Sequence, residues 1–274
     1  MMRIHSLHIY PVKSLRGCEV ASVEIDELGF AGDRRFLIVD ENGGFLTQRT
    51  FPAMATVSTA LSENALTLST DGHGSISVPR AGDPHAPLMP VNVWRDSGLL
   101  AEDCGKEAAA WLQDVLGLRC RLVRIGGRFH RLVAKAAARA GDLVSFADAA
   151  PVLVTSTGSL DALNRRIRSC GGEAVPMNRF RPNLVVTGCA AFAEDEWPAL
   201  RVGPVLFRNA GPSERCIMTT TDQHSGRRGV EPLRTLATFR RAADGNAVCF
   251  GVNFIQQSKR GVLRAGDPAV PAIP

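Results

Sequence analysis

Short apolar runs recur through the first hundred residues with turn signals between them, and this spacing limits the fold more than any other feature. "RFLIVDENGGFLTQR" places two strand-like runs on either side of Asn42-Gly43-Gly44, a hairpin signal. "ALTLS" and "SISVP" alternate apolar and polar residues around "DGHG", a second hairpin. "CEVASVEIDELGF" reads as a further strand ending in a turn. Strands this short and this closely spaced build a barrel or a sandwich.

The rest of the chain adds a few helices to this β frame. In "GKEAAAWLQDVLG", residues Ala108, Trp111, Leu112, Val115 and Leu116 share a face, with Asp103 as cap and Gly117 as stop. "GGRFHRLVAKAAARAGD", Gly126 to Asp142, is basic and rich in small residues, and reads as a linker or mobile loop near a domain boundary. "APVLVTSTGSLDALNRRIRSCGG" gives an apolar strand, a Ser/Thr turn and a glycine-closed helix capped by Ser159. "RPNLVVTG" is a strand opened by Pro182, "ALRVGPVLFRNAG" a hairpin, and "CFGVNFI" and "GVLRAGDP" two more strands. The expected class is α+β, predominantly β, of β-barrel type with two to four helices. A chain of 274 residues, 45% apolar, fills one large or two ordinary cores, and the expected division is 1–122 and 123–274.

Charge and cysteine content exclude several functions. The net charge of +5 comes from arginines scattered along the chain, which suits an anionic ligand better than a nucleic-acid track. Seven cysteines, an odd number with no C-x-x-C pair, argue against a disulfide framework and against zinc or iron–sulfur sites built from local cysteines. A reducing compartment is expected, the cytoplasm. The charged start "MMRIHSLHIYPVKS" does not read as a signal peptide, and no uncharged run reaches membrane-spanning length. There is no P-loop, no G-x-S-x-G and no H-E-x-x-H.

Five segments carry candidate chemistry. In "GPSERCIMTTTDQHSG", Cys216 follows Arg215 and Glu214 in a segment punctuated by Gly211, Pro212 and Gly226. A thiolate there is a nucleophile or a soft metal ligand, whereas a thiol there is a small buried hydrophobe. His224 is a poor partner base, because "TTTDQHSG" reads as a polar turn without an orienting carboxylate. "YPVKS" offers Lys13 and Ser14 to an anion, or a solvated turn. "AGDRRF" braces Arg34 or Arg35 with Asp33, and an inward arginine needs an anionic partner. "MNRFRPN" puts Arg181 and Asn183 on one face of an extended chain, a guanidinium beside an amide. "FADAAP" offers Asp148 ahead of a strand.

In chain order, "YPVKS", "GDRRFLIVD", "FLTQR", "EAAAWLQDVLG", "FADAAPVLVTS", "NRFRPNLVV", "AEDEWPALRVG", "RCIMTTTDQHSG" and "VLRAGDP" resemble the MOSC proteins with a MOSC N-terminal β-barrel domain. That group includes the amidoxime-reducing components and the C-terminal part of molybdenum cofactor sulfurase. The resemblance implies a molybdenum cofactor (Mo-molybdopterin) in a basic cleft between the N-terminal domain, 1–122, and the MOSC domain, 123–274. It implies that Cys216 ligates the metal, and that Lys13, Ser14, Arg34, Asp148, Arg181, Asn183, Glu214 and Arg215 border the cofactor. The family's association with pyridoxal phosphate is carried only at family level, with no residue singled out. The implied activity is oxidoreduction of small N-hydroxylated or N-oxygenated substrates. Electrons would come from a separate ferredoxin, flavodoxin or cytochrome with its reductase, since the chain has no plant-type ferredoxin segment. Two departures stand out: Glu214 where relatives can have serine, and Ala150 where a hydroxyl is found. The alternatives are a cofactor carrier, a persulfide-handling protein acting through Cys216, and a β-rich anion-binding module.

Overall fold

A computed structural model describes residues 1–242 and 245–273. The backbone is mostly strand, as expected, with α-helices at Lys106–Leu116, Thr157–Ser169 and Leu233–Leu236 among the described residues. The largest sheet has eight strands, in the order Ala269–Ala272, Ala199–Val202, Val205–Arg215, Val248–Gln256, Val152–Ser156, Leu184–Thr187, Arg3–Ile9 and Cys18–Val20. Val152–Ser156 is buried at every position, which explains its unbroken apolar and hydroxyl run.

The start of the chain is built into the second half. Arg3–Ile9 pairs antiparallel with Leu184–Thr187, and Ser22–Asp26 pairs with Gly261–Arg264. The first half supplies a four-stranded sheet of Phe36–Val39, Arg121–Arg124, Asp96–Asp103 and Leu88–Val93. It also supplies a three-stranded sheet whose Ala65–Ser69 and Ser75–Pro79 hairpin keeps full register. The helix Lys106–Leu116 lays Ala108 and Leu112 onto a core with Phe36, Ile38, Leu66, Leu68 and Leu122. The strand Arg121–Arg124 lies across the expected division after residue 122 and pairs with Phe36–Val39.

Local expectations need four corrections. The helix over Lys106–Leu116 begins at Gly105, and Asp103 ends a strand instead of capping; its Oδ1 accepts from the Gly105 N–H at 3.0 Å. Gly117 does close that helix in the left-handed region. The second helix is capped by Ser156, whose Oγ accepts from Ser159 N at 3.0 Å. Ser159 lies one turn further in and donates to Glu194 at 2.6 Å. The Asn42-Gly43-Gly44 turn forms, but its return leg is held to Phe36–Val39 by an isolated Val39–Phe45 bridge and a bond from Leu46 N to Ile38 O at 2.8 Å instead of a full ladder.

The fourth correction concerns 126–142. This segment is a packed strap rather than a loose linker. Arg131 and Asp142 are buried. Arg131 donates to Ser145 O and Ala147 O at 2.8 and 2.6 Å, and Asp142 pairs with Arg208 at 2.6 Å. A buried charge is tolerated when it is paired and hydrogen-bonded, and these partners are distant in sequence, so the segment looks polar and unattached when read alone.

Candidate active site

One cavity of about 730 Å³ lies where the two halves meet. All nine residues singled out from the sequence, Lys13, Ser14, Arg34, Asp148, Arg181, Asn183, Glu214, Arg215 and Cys216, line it. The lining holds nine cationic side chains against three acidic ones. A cavity of that balance attracts anions, and low-dielectric walls strengthen the attraction.

The backbone is bent sharply to make this wall. Outside glycine, positive φ occurs among the described residues at Ser14, Arg34, Trp94, Arg181 and Phe192, and the first four line the cavity. Each such residue costs about 1–3 kcal/mol unless its surroundings hold it, and strain of this kind gathers at functional sites. The surroundings here are hydrogen bonds. Tyr10 N donates to Asp33 Oδ1 at 2.8 Å, Arg34 N to Tyr10 O at 2.8 Å, and Lys13 N to Phe36 O at 3.0 Å.

Lys13 is buried, not part of a solvated turn. Its Nζ donates to Phe146 O at 2.8 Å and to the Asp148 carboxylate. Burial lowers its pKa to about 8, against the pull of Asp148. Asp148 also accepts from Trp94 Nε1 at 3.1 Å and from Arg49 at 3.4 Å. Burial disfavours its charge, but Lys13 and Arg49 outweigh burial and hold the carboxyl well below its ordinary range. Trp94 and Arg49 stack at 4.5 Å, so the mouth of the cavity carries a cation on an indole.

Arg34 is braced by Asp33 at 2.7 Å, by Asn183 Oδ1 at 3.0 Å and by Arg181 O at 3.2 Å. Arg35 turns away and pairs with Asp26 at 2.7 Å. Arg181 donates to Leu15 O at 2.7 Å, while its buried Nη2 has no partner within the protein. Burial and the neighbouring Arg34 lower the Arg181 pKa to about 10. Arg215 donates to Ser213 Oγ at 2.8 Å and to Phe180 O at 2.7 Å, and its pKa is lowered by burial to about 10.

Arg181 and Asn183 do not project together from an extended segment. Met177–Arg179 is a 3-10 turn and Arg181 has a φ of 56°, so the pair reaches the cavity by different routes. The Asn183 carbonyl accepts from Leu153 N at 3.1 Å and from Arg34, and its amide donates to His8 O at 3.2 Å. It therefore acts on the cavity chiefly through Arg34.

Cys216 ends the strand Val205–Arg215 and opens the 3-10 turn Ile217–Thr220. It is half-buried, and its carbonyl accepts from Thr219 N at 3.1 Å and Thr219 Oγ1 at 2.9 Å. Its carbonyl is thus fixed, and Cys216 stands in the cavity lining. Glu214 is exposed on the same wall, and Ala150 also lines it. His224 is exposed and absent from the lining; the inward residue of its turn is Gln223, which bonds Gln48 at 3.1 Å. No cluster of three or more His, Cys, Asp or Glu side chains is arranged to hold a metal among the described residues.

The lining residues that the sequence reading missed include Arg49, Trp94, Arg95, Arg131 and Asp96, which Arg131 pairs at 2.6 Å. Tyr10, behind the lining, escaped it too. Only Tyr10 left a trace in sequence, as the chain's single tyrosine beside the proline of "YPVKS".

Residues 1–119 match the MOSC N-terminal beta barrel domain, and residues 141–270 match the MOSC domain. Mitochondrial amidoxime-reducing component 1 of Mus musculus is 33% identical over 281 residues, covering 97% of this chain and 81% of that protein. The chain belongs to the MOSC family. Mitochondrial amidoxime-reducing component 1 of Homo sapiens is 31% identical over 97% of this chain and 81% of its own length. Molybdenum cofactor sulfurase of Danio rerio is 32% identical over 98% of this chain, which spans 34% of that protein. In this MOSC chain the cavity draws on both matched stretches, Lys13, Ser14 and Arg34 from the first and Asp148 through Cys216 from the second. No helix among the described residues is long and apolar enough to cross a membrane.

Proposed function

We propose that this chain is a molybdenum cofactor-dependent oxidoreductase that reduces N-hydroxylated or N-oxygenated compounds, with electrons delivered by a separate protein and Cys216 as the protein's ligand to the metal. One observation carries the reading: a single thiol and a ring of cations, drawn from distant segments, line one cavity.

The residues present suit a pterin that bears a phosphate and brings its own sulfurs. The buried Nη2 of Arg181 lacks a partner within the protein, which costs about 1–3 kcal/mol unless a ligand oxygen meets it. Cys216 offers one soft donor, and no protein cluster among the described residues offers three. A metal held there needs its remaining ligands from the cofactor. When bound, the cofactor supplies two-electron chemistry that removes oxygen from an N–O group, the balance being R–NHOH with two electrons and two protons giving R–NH₂ and water.

The chain's own residues bind and orient. Lys13, Arg181 and Arg215 present positive charge that burial has stripped of water, so each acts on an anion more strongly than a surface cation. Asp33 and Asn183 fix Arg34 against the wall. Asp148, ionised and half exposed, neutralises Lys13 and Arg49 on the mouth side. Glu214 adds a carboxylate beside Cys216, which disfavours an anionic substrate there and suits a neutral one such as an amidoxime. The likeness to amidoxime-reducing components supports the same reaction class.

The experiment is molybdenum content together with viologen-driven reduction of an aryl amidoxime, for wild type and Cys216→Ala. Stoichiometric metal and reduction in wild type, both lost in the variant, is the expected result. Metal without reduction selects the cofactor carrier. No metal from a cofactor-competent host, with a persulfide on Cys216, selects sulfur handling.

A further inference from the structure

A second cavity, of about 210 Å³, lies where the three smaller sheets meet. Asp26 reaches it from the end of Ser22–Asp26, and Leu61 from the end of Ser58–Leu61. Arg80 follows Ser75–Pro79, Phe36 opens Phe36–Val39, and Ile125 follows Arg121–Arg124. None of these residues lines the first cavity. The two cavities share one turn, because Arg34 lines the first and Arg35 the second.

The wall has an apolar part and a charged part. Phe36, Leu61 and Ile125 supply carbon surface. Gly32, at a φ of 85°, lets the turn approach closely: a Cβ there would stand 2.7 Å from Leu61 Cδ1 and 3.7 Å from Arg80 Nη2. The Arg80 guanidinium therefore lies beside this turn. Arg80 is exposed, and its one side-chain hydrogen bond among the described residues is a long contact of 3.4 Å to Ser62 O.

Arg35 lies deeper, with its side chain 16% exposed. A single nitrogen, Nη2, makes all its hydrogen bonds, to Asp26 Oδ1 and Oδ2 at 2.7 and 2.8 Å and to Phe30 O at 3.2 Å. Nε is buried without a partner, and Nη1 makes no hydrogen bond among the described residues. A guanidinium is a planar fork of five donors matched to an oxyanion, and a buried donor left unpaired costs about 1–3 kcal/mol. Asp26 leaves much of that fork open, and its Oδ1 is also engaged by Leu28 N at 2.8 Å. Two guanidiniums against one carboxylate leave one positive charge unbalanced in this cavity. A monoanion balances it, whereas a phosphate dianion overshoots. The apolar wall calls for a hydrocarbon group beside that charge.

We propose that this cavity is a second ligand site, for the carboxylate of a small organic acid with a short apolar body. Arg35 Nε and Nη1 and the Arg80 guanidinium receive the carboxylate, and Phe36, Leu61 and Ile125 receive the hydrocarbon. The site is independent of the oxidoreductase reading, since its lining contains no residue of the first cavity.

Calorimetry of the full chain with isovalerate, benzoate and inorganic phosphate tests it, in wild type, Arg80→Gln, Arg80→Lys and Lys13→Gln. Arg80 is exposed, so its variants are expected to melt with wild type. The expected result is millimolar carboxylate binding that Arg80→Gln weakens about tenfold, that Arg80→Lys weakens less, and that persists in Lys13→Gln. Absence of carboxylate binding at about 10 mM overturns the proposal. Carboxylate binding lost in Lys13→Gln and kept in Arg80→Gln also overturns it, by placing the anion in the first cavity. Phosphate affinity that falls in Arg80→Gln while carboxylate affinity does not overturns the choice of ligand.

Discussion

The Arg181 guanidinium lies 4.2 Å from the centre of the Tyr10 ring. Arg34 lies 4.3 Å from the same ring, and the buried Tyr10 hydroxyl donates to Pro182 O at 3.1 Å. Burial pushes that hydroxyl up to about 12, so it stays a donor at any working pH. Two guanidiniums that repel each other are held by one aromatic ring, each contact being worth about 0.5–2 kcal/mol. Tyr10→Leu is therefore expected to lower molybdenum retention several-fold, because both cations lose their platform. Tyr10→Phe keeps the ring, loses one hydrogen bond, costs about 1 kcal/mol and retains metal. Metal-to-protein ratios for the two variants check this, and equal retention in both would sink it.

Lys13 predicts a pH dependence of ligand binding. Its pKa in the free protein is lowered to about 8, and a bound anion raises it. Below pH 8 the side chain is protonated both free and bound, so affinity for an anion is flat with pH. Above pH 8 the free protein loses the proton that the complex needs, and affinity falls. Titration with inorganic phosphate or pterin phosphate from pH 7 to 9.5 reads this directly. Lys13→Arg, whose guanidinium stays charged, removes the fall; persistence of the same fall in that variant would reject Lys13 as its source.

Gly126 predicts a stability effect at the strap. A Cβ there would stand 1.7 Å from Glu102 Oε1. That carboxylate cannot swing aside freely, because it accepts from Arg124 Nε at 2.9 Å and from Asp83 N at 2.8 Å. Arg124 and Glu102 are both buried. Gly126→Ala must therefore break a buried ion pair or shift the strap, at a cost of about 2–4 kcal/mol. Urea denaturation gives the number, and a change below about 0.5 kcal/mol would show that the strap yields.

Alternation and turn chemistry made the local pieces legible. The hairpins at Ala65–Pro79 and Ala199–Arg215 and the buried strand Val152–Ser156 follow their patterns. Local chemistry offered Lys13, Ser14, Arg34, Asp148, Arg181, Asn183 and Cys216 as candidates, each with a structural alternative, and the motifs in family order joined them to one site. Pairing partners were not legible. Nothing in "RIHSLHI" says that Arg3–Ile9 pairs with Leu184–Thr187, and nothing near Trp94 says that its indole meets Asp148. Arg131 and Asp142 read as solvated charges because the groups that satisfy them arrive from other elements. Periodicity reports which face is buried, and it is silent on what covers that face.

Glu194 carries the last prediction. It is fully buried; Oε1 accepts from Ser159 Oγ at 2.6 Å and Ser156 N at 3.2 Å, while Oε2 has no partner. Burial raises its pKa above the ordinary value of 4.5. Between 4.5 and the raised value the folded protein binds more protons than the unfolded chain. The contribution to stability is therefore fully present below pH 4.5 and is lost as pH rises through that window. Glu194→Gln keeps an acceptor for Ser156 and Ser159 and removes the ionisation. Its melting temperature should lack this group's decline between pH 4.5 and 7.5, and its stability at pH 7.5 should lie within about 1 kcal/mol of wild type or above it. Parallel melting curves for the two proteins across that range would mean that Glu194 titrates at its ordinary value and that its burial is offset by water.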